Sequence, residues 1–158
     1  MSKIKELIPY VVIVVVVVLV RSFVVTPVVV SGDSMVPSLE DGQLLLLNKL
    51  SYKFKEIERF DVVVVKVGKN EIIKRVIGLP GETIEYKDSK LYINDEILES
   101  EYDFLTDDFE MKEIPQGKYF VLGDNRAVSS DSRIIGMIDR RDIVGKTSIS
   151  LFPIKFVK

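Results

Sequence analysis

Apolar and polar positions divide the 158-residue chain into one continuous greasy start and a series of short runs behind it. Leu7–Val20 carries no charge, with Lys3 and Lys5 before it and Arg21 after it, and apolar character resumes through Phe23, Val24 and Val25. A helix that spans a bilayer needs roughly 20 apolar residues and at least about 17. The run reaches that length only if Lys5 and Glu6 sit at one interface and Arg21 snorkels at the other. A cleaved secretory signal fits less well, because no Ala marks a cleavage point and Arg21 interrupts the segment. A buried core segment is the other alternative, though an unusually β-branched one. The pattern therefore predicts a single transmembrane helix, since a backbone in lipid must satisfy itself internally. Lys3 and Lys5 bias the N-terminus to the cytoplasmic side, a modest bias given Glu6 and Arg21. The rest of the chain is then extracytoplasmic.

After residue 25 the pattern is one of strands. Val24–Val30, Gln43–Leu47, Asp61–Val67 and Glu71–Ile77 are β-branched or apolar runs, the last two separated by the turn Gly68-Lys69-Asn70. Gly78-Leu79-Pro80-Gly81 punctuates the chain. Thr83–Tyr86, Lys90–Ile93 and Glu96–Leu98 alternate and are joined by Lys87-Asp88-Ser89 and Asn94-Asp95, which reads as small hairpins. Residues 99–117 are acidic and irregular (Glu99, Glu101, Asp103, Asp107, Asp108, Glu110, Glu113), a solvated excursion by composition. Lys118–Leu122 and Asp142–Phe152 supply the closing strands. The expected fold is one all-β domain over 26–158, a compact barrel or sandwich of short strands, behind a tip and anchor at 1–25.

Composition narrows the chemistry. A net charge of −2, with no basic face interleaved with aromatics, gives no reason to expect a nucleic-acid partner. The chain has neither His nor Cys, which excludes a Ser-His-Asp triad, a Cys-His pair and a His- or Cys-ligated zinc site. A nucleophilic mechanism would have to draw its base from Lys, a carboxylate or a terminal amine. No metal or cofactor is expected.

Three stretches hold candidate chemistry. Ser31-Gly32-Asp33-Ser34-Met35-Val36-Pro37-Ser38-Leu39 presents Ser34 on a stiffened turn, with Gly32 free in φ and Pro37 fixed; taken alone, it is a turn first and a nucleophile second. Lys74, in Glu71-Ile72-Ile73-Lys74-Arg75-Val76-Ile77, shares a strand face with Ile72 and Val76. Such a Lys either snorkels to water or is desolvated, which would lower its pKa and let it take a serine proton. Gly123–Arg133 is dense in turn formers, and Asp131 and Arg133 are close enough to pair; a polar surface loop is the plainer reading.

Taken together, these stretches resemble the type I signal peptidases, membrane-anchored Ser/Lys endopeptidases that remove signal peptides from exported proteins. Ser31–Leu39 is similar to the family's nucleophile motif, Lys74-Arg75-Val76-Ile77-Gly78-Leu79-Pro80-Gly81-Glu82 to its general-base motif, and Gly123-Asp124-Asn125 with Ser129-x-Asp131-Ser132-Arg133 to its last box. Arg133-x-x-Gly136 and Asp142-Ile143-Val144-Gly145-Lys146 resemble its closing segment. The resemblance implies Ser34 as nucleophile, Lys74 as base and Ser129 hydrogen-bonded to the Lys74 amine, with Asp124, Asp131 and Arg133 bracing the site. It implies an oxyanion hole built on the Ser34 backbone N–H, because Gly32 has no hydroxyl at the position where some relatives carry one. Met35 and Ile73 are pocket residues by adjacency. The implied partners are the signal-peptide region of preproteins and membrane lipid, at the extracytoplasmic face of the cell membrane. Residues 82–118 resemble a reduced hairpin version of a larger insertion. Departures are Phe60-Asp61 for Gly-Asp, Ala127-Val128 for a more polar pair, Ile134-Ile135 where aromatics are common, and Ser38 for Thr. The alternatives are a self-cleaving repressor-type Ser/Lys protease, which would carry a DNA-binding domain instead of an anchor, and a membrane-tethered β-domain that only binds a partner.

Overall fold

The computed structural model describes residues 2–102, 104–152 and 154–156. It opens with helix α1 (Ser2–Phe23). From Leu7 to Val18 the apolar side chains of α1 point outwards on every face, each at least half exposed apart from Pro9. Among the described residues these side chains are covered by nothing of their own chain, an exposed apolar surface of unusual extent. Among the described residues, however, no helix is long and apolar enough to cross a membrane. The described apolar side chains, Leu7 to Val18, cover only about 18 Å of helix, against ~30 Å of hydrocarbon. The side chains of Lys3, Lys5, Glu6 and Arg21, on which the interface argument rests, lie outside the described residues, as does Asp103 of the acidic stretch.

Beyond α1 the chain is built almost entirely from antiparallel strands. They are β1 (Val25–Val29), β2 (Leu44–Asn48), β3 (Val62–Val67), β4 (Asn70–Gly78), β5 (Thr83–Lys87), β6 (Lys90–Ile93), β7 (Glu96–Ile97), β8 (Phe109–Glu113), β9 (Lys118–Leu122), β10 (Ile138–Asp139), β11 (Ile143–Phe152) and β12 (Ile154–Phe156). One-turn helices α2 (Ser51–Phe54) and α3 (Ser132–Ile135) and a 3-10 turn at Arg140–Asp142 complete it. The larger sheet runs β1-β2-β11-β3-β4-β9-β10, with β12 on β11. Among the described residues the order does not return from β10 to β1, so hydrogen bonding does not close it into a barrel. The smaller sheet runs β7-β6-β5-β8. Of the supposed excursion over 99–117, Phe109–Glu113 is therefore a strand, paired with β5. Its polar, acidic sequence hid it, because an edge strand with an exposed face needs few apolar residues.

Packing follows the alternation. On β3, Val63 and Val65 join Ile57, Val76, Tyr119, Val121 and Ile143 on one face, while Val62 joins Val30, Met35, Leu39 and Leu45 on the other. A strand buried on both faces reads as a continuous apolar run, which is what Val62-Val63-Val64-Val65 is. A third cluster, Ile77, Ile84, Tyr86, Leu91, Ile114, Phe120 and Leu122, joins the two sheets. The hairpin turns are as expected: Asp88-Ser89 and Asn94-Asp95 are two-residue loops with positive φ at every position, the geometry that matches strand twist. Phe60 also has positive φ, at 71°. It occupies the position where the resembled family carries Gly, and its ring lies 5.0 Å from that of Tyr102.

Candidate active site

The turn at Ser34 is assembled from local bonds. The Gly32 N–H donates to Asp41 Oδ1 at 2.7 Å, Leu39 N–H to the Met35 carbonyl at 2.9 Å, and Asn125 N–H to the Ser34 carbonyl at 3.1 Å. Gly32 has φ +83°, a conformation reserved in practice for glycine. The Val36–Pro37 peptide is cis. Met35 is buried beneath, among Val30, Leu39, Leu45 and Val62 with Ile73 against them, and it holds the stretch to the core. The last of these bonds ties the serine turn to the loop after β9, 91 positions on in the chain.

Lys74 reaches Ser34 from β4. Its Nζ donates to Ser34 Oγ at 2.8 Å and to the Ile73 carbonyl at 2.8 Å. It is 3 % exposed, and Ile72 and Val76, its neighbours on the strand face, pack into the Val63–Val121 cluster. Burial therefore pushes the amine's pKa below the ordinary lysine value, against the opposing pull of the Asp131 and Asp124 carboxylates. Of the two sequence alternatives for Lys74, the desolvated one is observed.

The loop after β9 supplies charge and geometry. Arg75, the neighbour of Lys74 facing the other way, binds Asp124 with both ends of its guanidinium (Nε–Oδ1 2.9 Å, Nη2–Oδ2 2.7 Å), and both side chains are fully buried. Arg133 binds Asp131 in the same forked manner, at 2.9 and 3.0 Å, and Asp131 also accepts from Gly123 N–H at 3.1 Å. Despite its burial, the Asp131 carboxyl is held below the usual range chiefly by Arg133 and by the Gly123 N–H. A Cβ at Gly123 would overlap both the Ser34 carbonyl and Ser129, so glycine alone lets these segments meet. Ser129 is 4 % exposed, and its Oγ meets the geometry of a hydrogen bond with no partner among the described residues. The expected bond from Ser129 to Lys74 is thus not formed; the amine is occupied by Ser34 and the Ile73 carbonyl.

A small pocket of about 110 Å³ opens beside the serine, between Val29–Ser31 at the end of β1 and Glu71–Lys74 on β4, with Met35 and Ile73 in its lining. The Ser34 N–H donates to no group among the described residues. A larger cleft of about 480 Å³, lined by Val24, Tyr52, Phe54, Asp61 and Lys146 among others, shares no residue with this pocket.

Two arginines escaped the sequence reading of roles. Arg75 stands within the Lys74 stretch, and a buried Arg on the opposite strand face, with an Asp in a distant glycine turn, was the available signal. Arg126 had none. It is 6 % exposed, and it donates to the carbonyls of Gly123 at 2.9 Å and Tyr102 at 3.1 Å, to Tyr86 Oη at 3.1 Å and to Thr106 Oγ1. Its partners come from three separate parts of the chain, which only the fold brings together.

Comparison with known proteins is consistent with this arrangement. The family model for signal peptidase, peptidase S26, matches residues 4–152. Signal peptidase IB of Staphylococcus aureus is 41 % identical over 156 residues, covering 85 % of this chain and 82 % of the relative. Signal peptidase I of Bacillus caldolyticus is 43 % identical over 164 residues, covering 93 % and 90 %. The crystal structure of a signal peptidase I from Enterococcus faecalis superposes with a TM-score of 0.53 at 36 % identity, over 58 % of this chain and 97 % of that one. The chain belongs to the signal peptidase family, peptidase S26, and is an enzyme of the signal peptidase I kind.

Proposed function

We propose that this enzyme cleaves signal peptides from exported preproteins with Ser34 as nucleophile and Lys74 as general base. The observation that carries the reading is the 2.8 Å approach of Lys74 Nζ to Ser34 Oγ by a lysine that is 3 % exposed. A desolvated amine is neutral at a lower pH than an exposed one and can take the hydroxyl proton as Oγ attacks the scissile carbonyl. The ammonium so formed gives that proton to the leaving peptide nitrogen as the C–N bond breaks, and the amine, neutral again, deprotonates the water that opens the acyl-enzyme. The free Ser34 N–H is the backbone donor for the oxyanion. Arg75–Asp124 and Arg133–Asp131 keep the carboxylates near Lys74 neutralised and the loop in place, and the hydroxyl of Ser129, unpartnered among the described residues, is free to orient the amine once the serine hydroxyl is engaged by substrate.

The substrate reading rests on size and on open edges. A pocket of about 110 Å³ takes small side chains only. Beyond it β1 pairs on one side alone, with β2, and Asn70–Lys74 of β4 pairs only with β3. An extended peptide entering between them would find backbone partners as an added strand. Helix α1, with apolar sequence continuing past Val18 to Val20 and resuming at Phe23, serves as the membrane anchor, and the β-domain at 26–158 works at the extracytoplasmic surface. Anchoring raises the effective concentration of enzyme near chains emerging from the bilayer.

Cleavage of a reporter preprotein by the detergent-purified protein, with sequencing of the product N-terminus, tests the reading. Ser34→Ala and Lys74→Ala are each expected to reduce cleavage by at least a thousandfold with the far-ultraviolet circular dichroism unchanged. Full activity in Lys74→Ala would sink the Ser/Lys assignment.

A further inference from the structure

The small pocket beside Ser34 holds one charge for which the Ser34–Lys74 chemistry has no use. Apart from Lys74, its lining is apolar or neutral except for Glu71. Glu71 lies two residues before Ile73 on β4, so strand alternation puts both on one face, roughly 7 Å apart. Ile73 packs inward against the Met35 cluster, whereas Glu71 is exposed. The carboxylate thus stands at the rim while Ile73 forms part of the floor. Across the ladder Glu71 faces Lys66 of β3. Lys66 is exposed too, and no ion pair joins them among the described residues. The charge is therefore available to whatever enters the pocket.

We propose that Glu71 is a specificity-determining residue, favouring a basic side chain and rejecting an acidic one at the substrate position that passes the pocket rim. The inference rests on the peptidase reading above and adds a charge rule to its size rule. A peptide laid along the open edge of Asn70–Lys74 sends alternate side chains to the face that carries Ile73 and Glu71. If one of them fills the small pocket, its neighbour two residues away lies beside the carboxylate. At about 6 Å in a partly solvated setting, exchanging a positive for a negative side chain there changes kcat/KM about five- to tenfold at low salt.

The experiment uses the full-length protein in detergent and a series of cleavable peptides. Each carries a single Lys or a single Glu at one position, from five before the scissile bond to two after it, and kcat/KM is measured at 50 mM and 500 mM NaCl. The expected result is one position with a Lys-to-Glu ratio of about five to ten at low salt. That ratio should fall towards one at high salt and in Glu71→Gln, and invert in Glu71→Lys. Flat ratios at every position in an enzyme that cuts the series would overturn the role of Glu71 alone, as would a preference that survives Glu71→Gln. A folded wild-type protein that cuts none of the peptides would overturn the peptidase reading itself, and this inference with it.

Discussion

At the scale of single residues, Lys74 and Phe60 make opposite bargains with their surroundings. Lys74 is deprived of water, and its pKa lies below the ordinary 10.5 because burial outweighs the pull of Asp131 and Asp124. If its free amine is the base, kcat/KM rises with pH through an apparent pKa below 10.5 and is lost as pH falls. A profile on reporter preprotein with no acidic limb would contradict this. The linkage has the same sign: the unfolded chain holds this proton to higher pH than the folded one, so the group's contribution to stability grows with pH across that interval. Phe60 occupies a positive-φ position, which costs a non-glycine residue roughly 1–2 kcal/mol, and its ring contact with Tyr102 offsets the strain. Phe60→Ala keeps the strain and loses the ring; Phe60→Gly loses the ring and relieves the strain. The Gly variant is therefore expected to be more stable than the Ala variant by about 1 kcal/mol in urea unfolding, the reverse of their order in ordinary extended backbone. The Ser34 and Lys74 stretches were legible because glycine, proline and a lysine between two β-branched residues leave local marks. The direct Ser34–Lys74 bond, across 40 positions, left no local mark, and only the family resemblance implied that partnership.

At the scale of elements, the strands declared themselves wherever one face is apolar, and Asp88-Ser89 and Asn94-Asp95 fixed the register of their hairpins. β8 and α3 did not declare themselves. β8 is an acidic edge strand. α3 is a single turn N-capped by the Asp131 side chain, which accepts from Arg133 N–H at 3.3 Å, too short to carry an apolar period of its own. The loop after β9 is the element on which the site depends most. Its Asp124 is fully buried against Arg75, so Asp124→Ala would strand a guanidinium inside the protein. The expected loss is about 3–5 kcal/mol, read by urea unfolding. The double change Arg75→Met with Asp124→Leu removes both charges and should recover much of that stability while leaving activity low. If the double variant were no more stable than Asp124→Ala, the loss would not come from the unpaired charge.

At the scale of the whole molecule, α1 and the β-domain dispose of their apolar residues in opposite ways. Residues Leu7–Val18 expose apolar side chains around the whole helix, whereas the strands bury theirs. The full chain is expected in the membrane pellet after carbonate washing and in the supernatant after detergent; release by carbonate alone would contradict an embedded α1. The smaller sheet has a less evident standing. Its partner in the loop after β9 is Arg126, a buried cation that meets hydroxyls and carbonyls of Tyr86, Tyr102 and Thr106, while Tyr102 lays its ring 3.9 Å from the Arg75 guanidinium. The turn Asp88-Ser89 is tied into this junction, because the Ser89 hydroxyl donates to the Thr106 carbonyl at 3.1 Å, whereas Asn94 bonds back to Thr83 within the smaller sheet. Removing Tyr102 or Thr106 would instead leave the buried Arg126 guanidinium short of acceptors, so the order of the loop after β9 hangs on side chains and carbonyls that lie outside it.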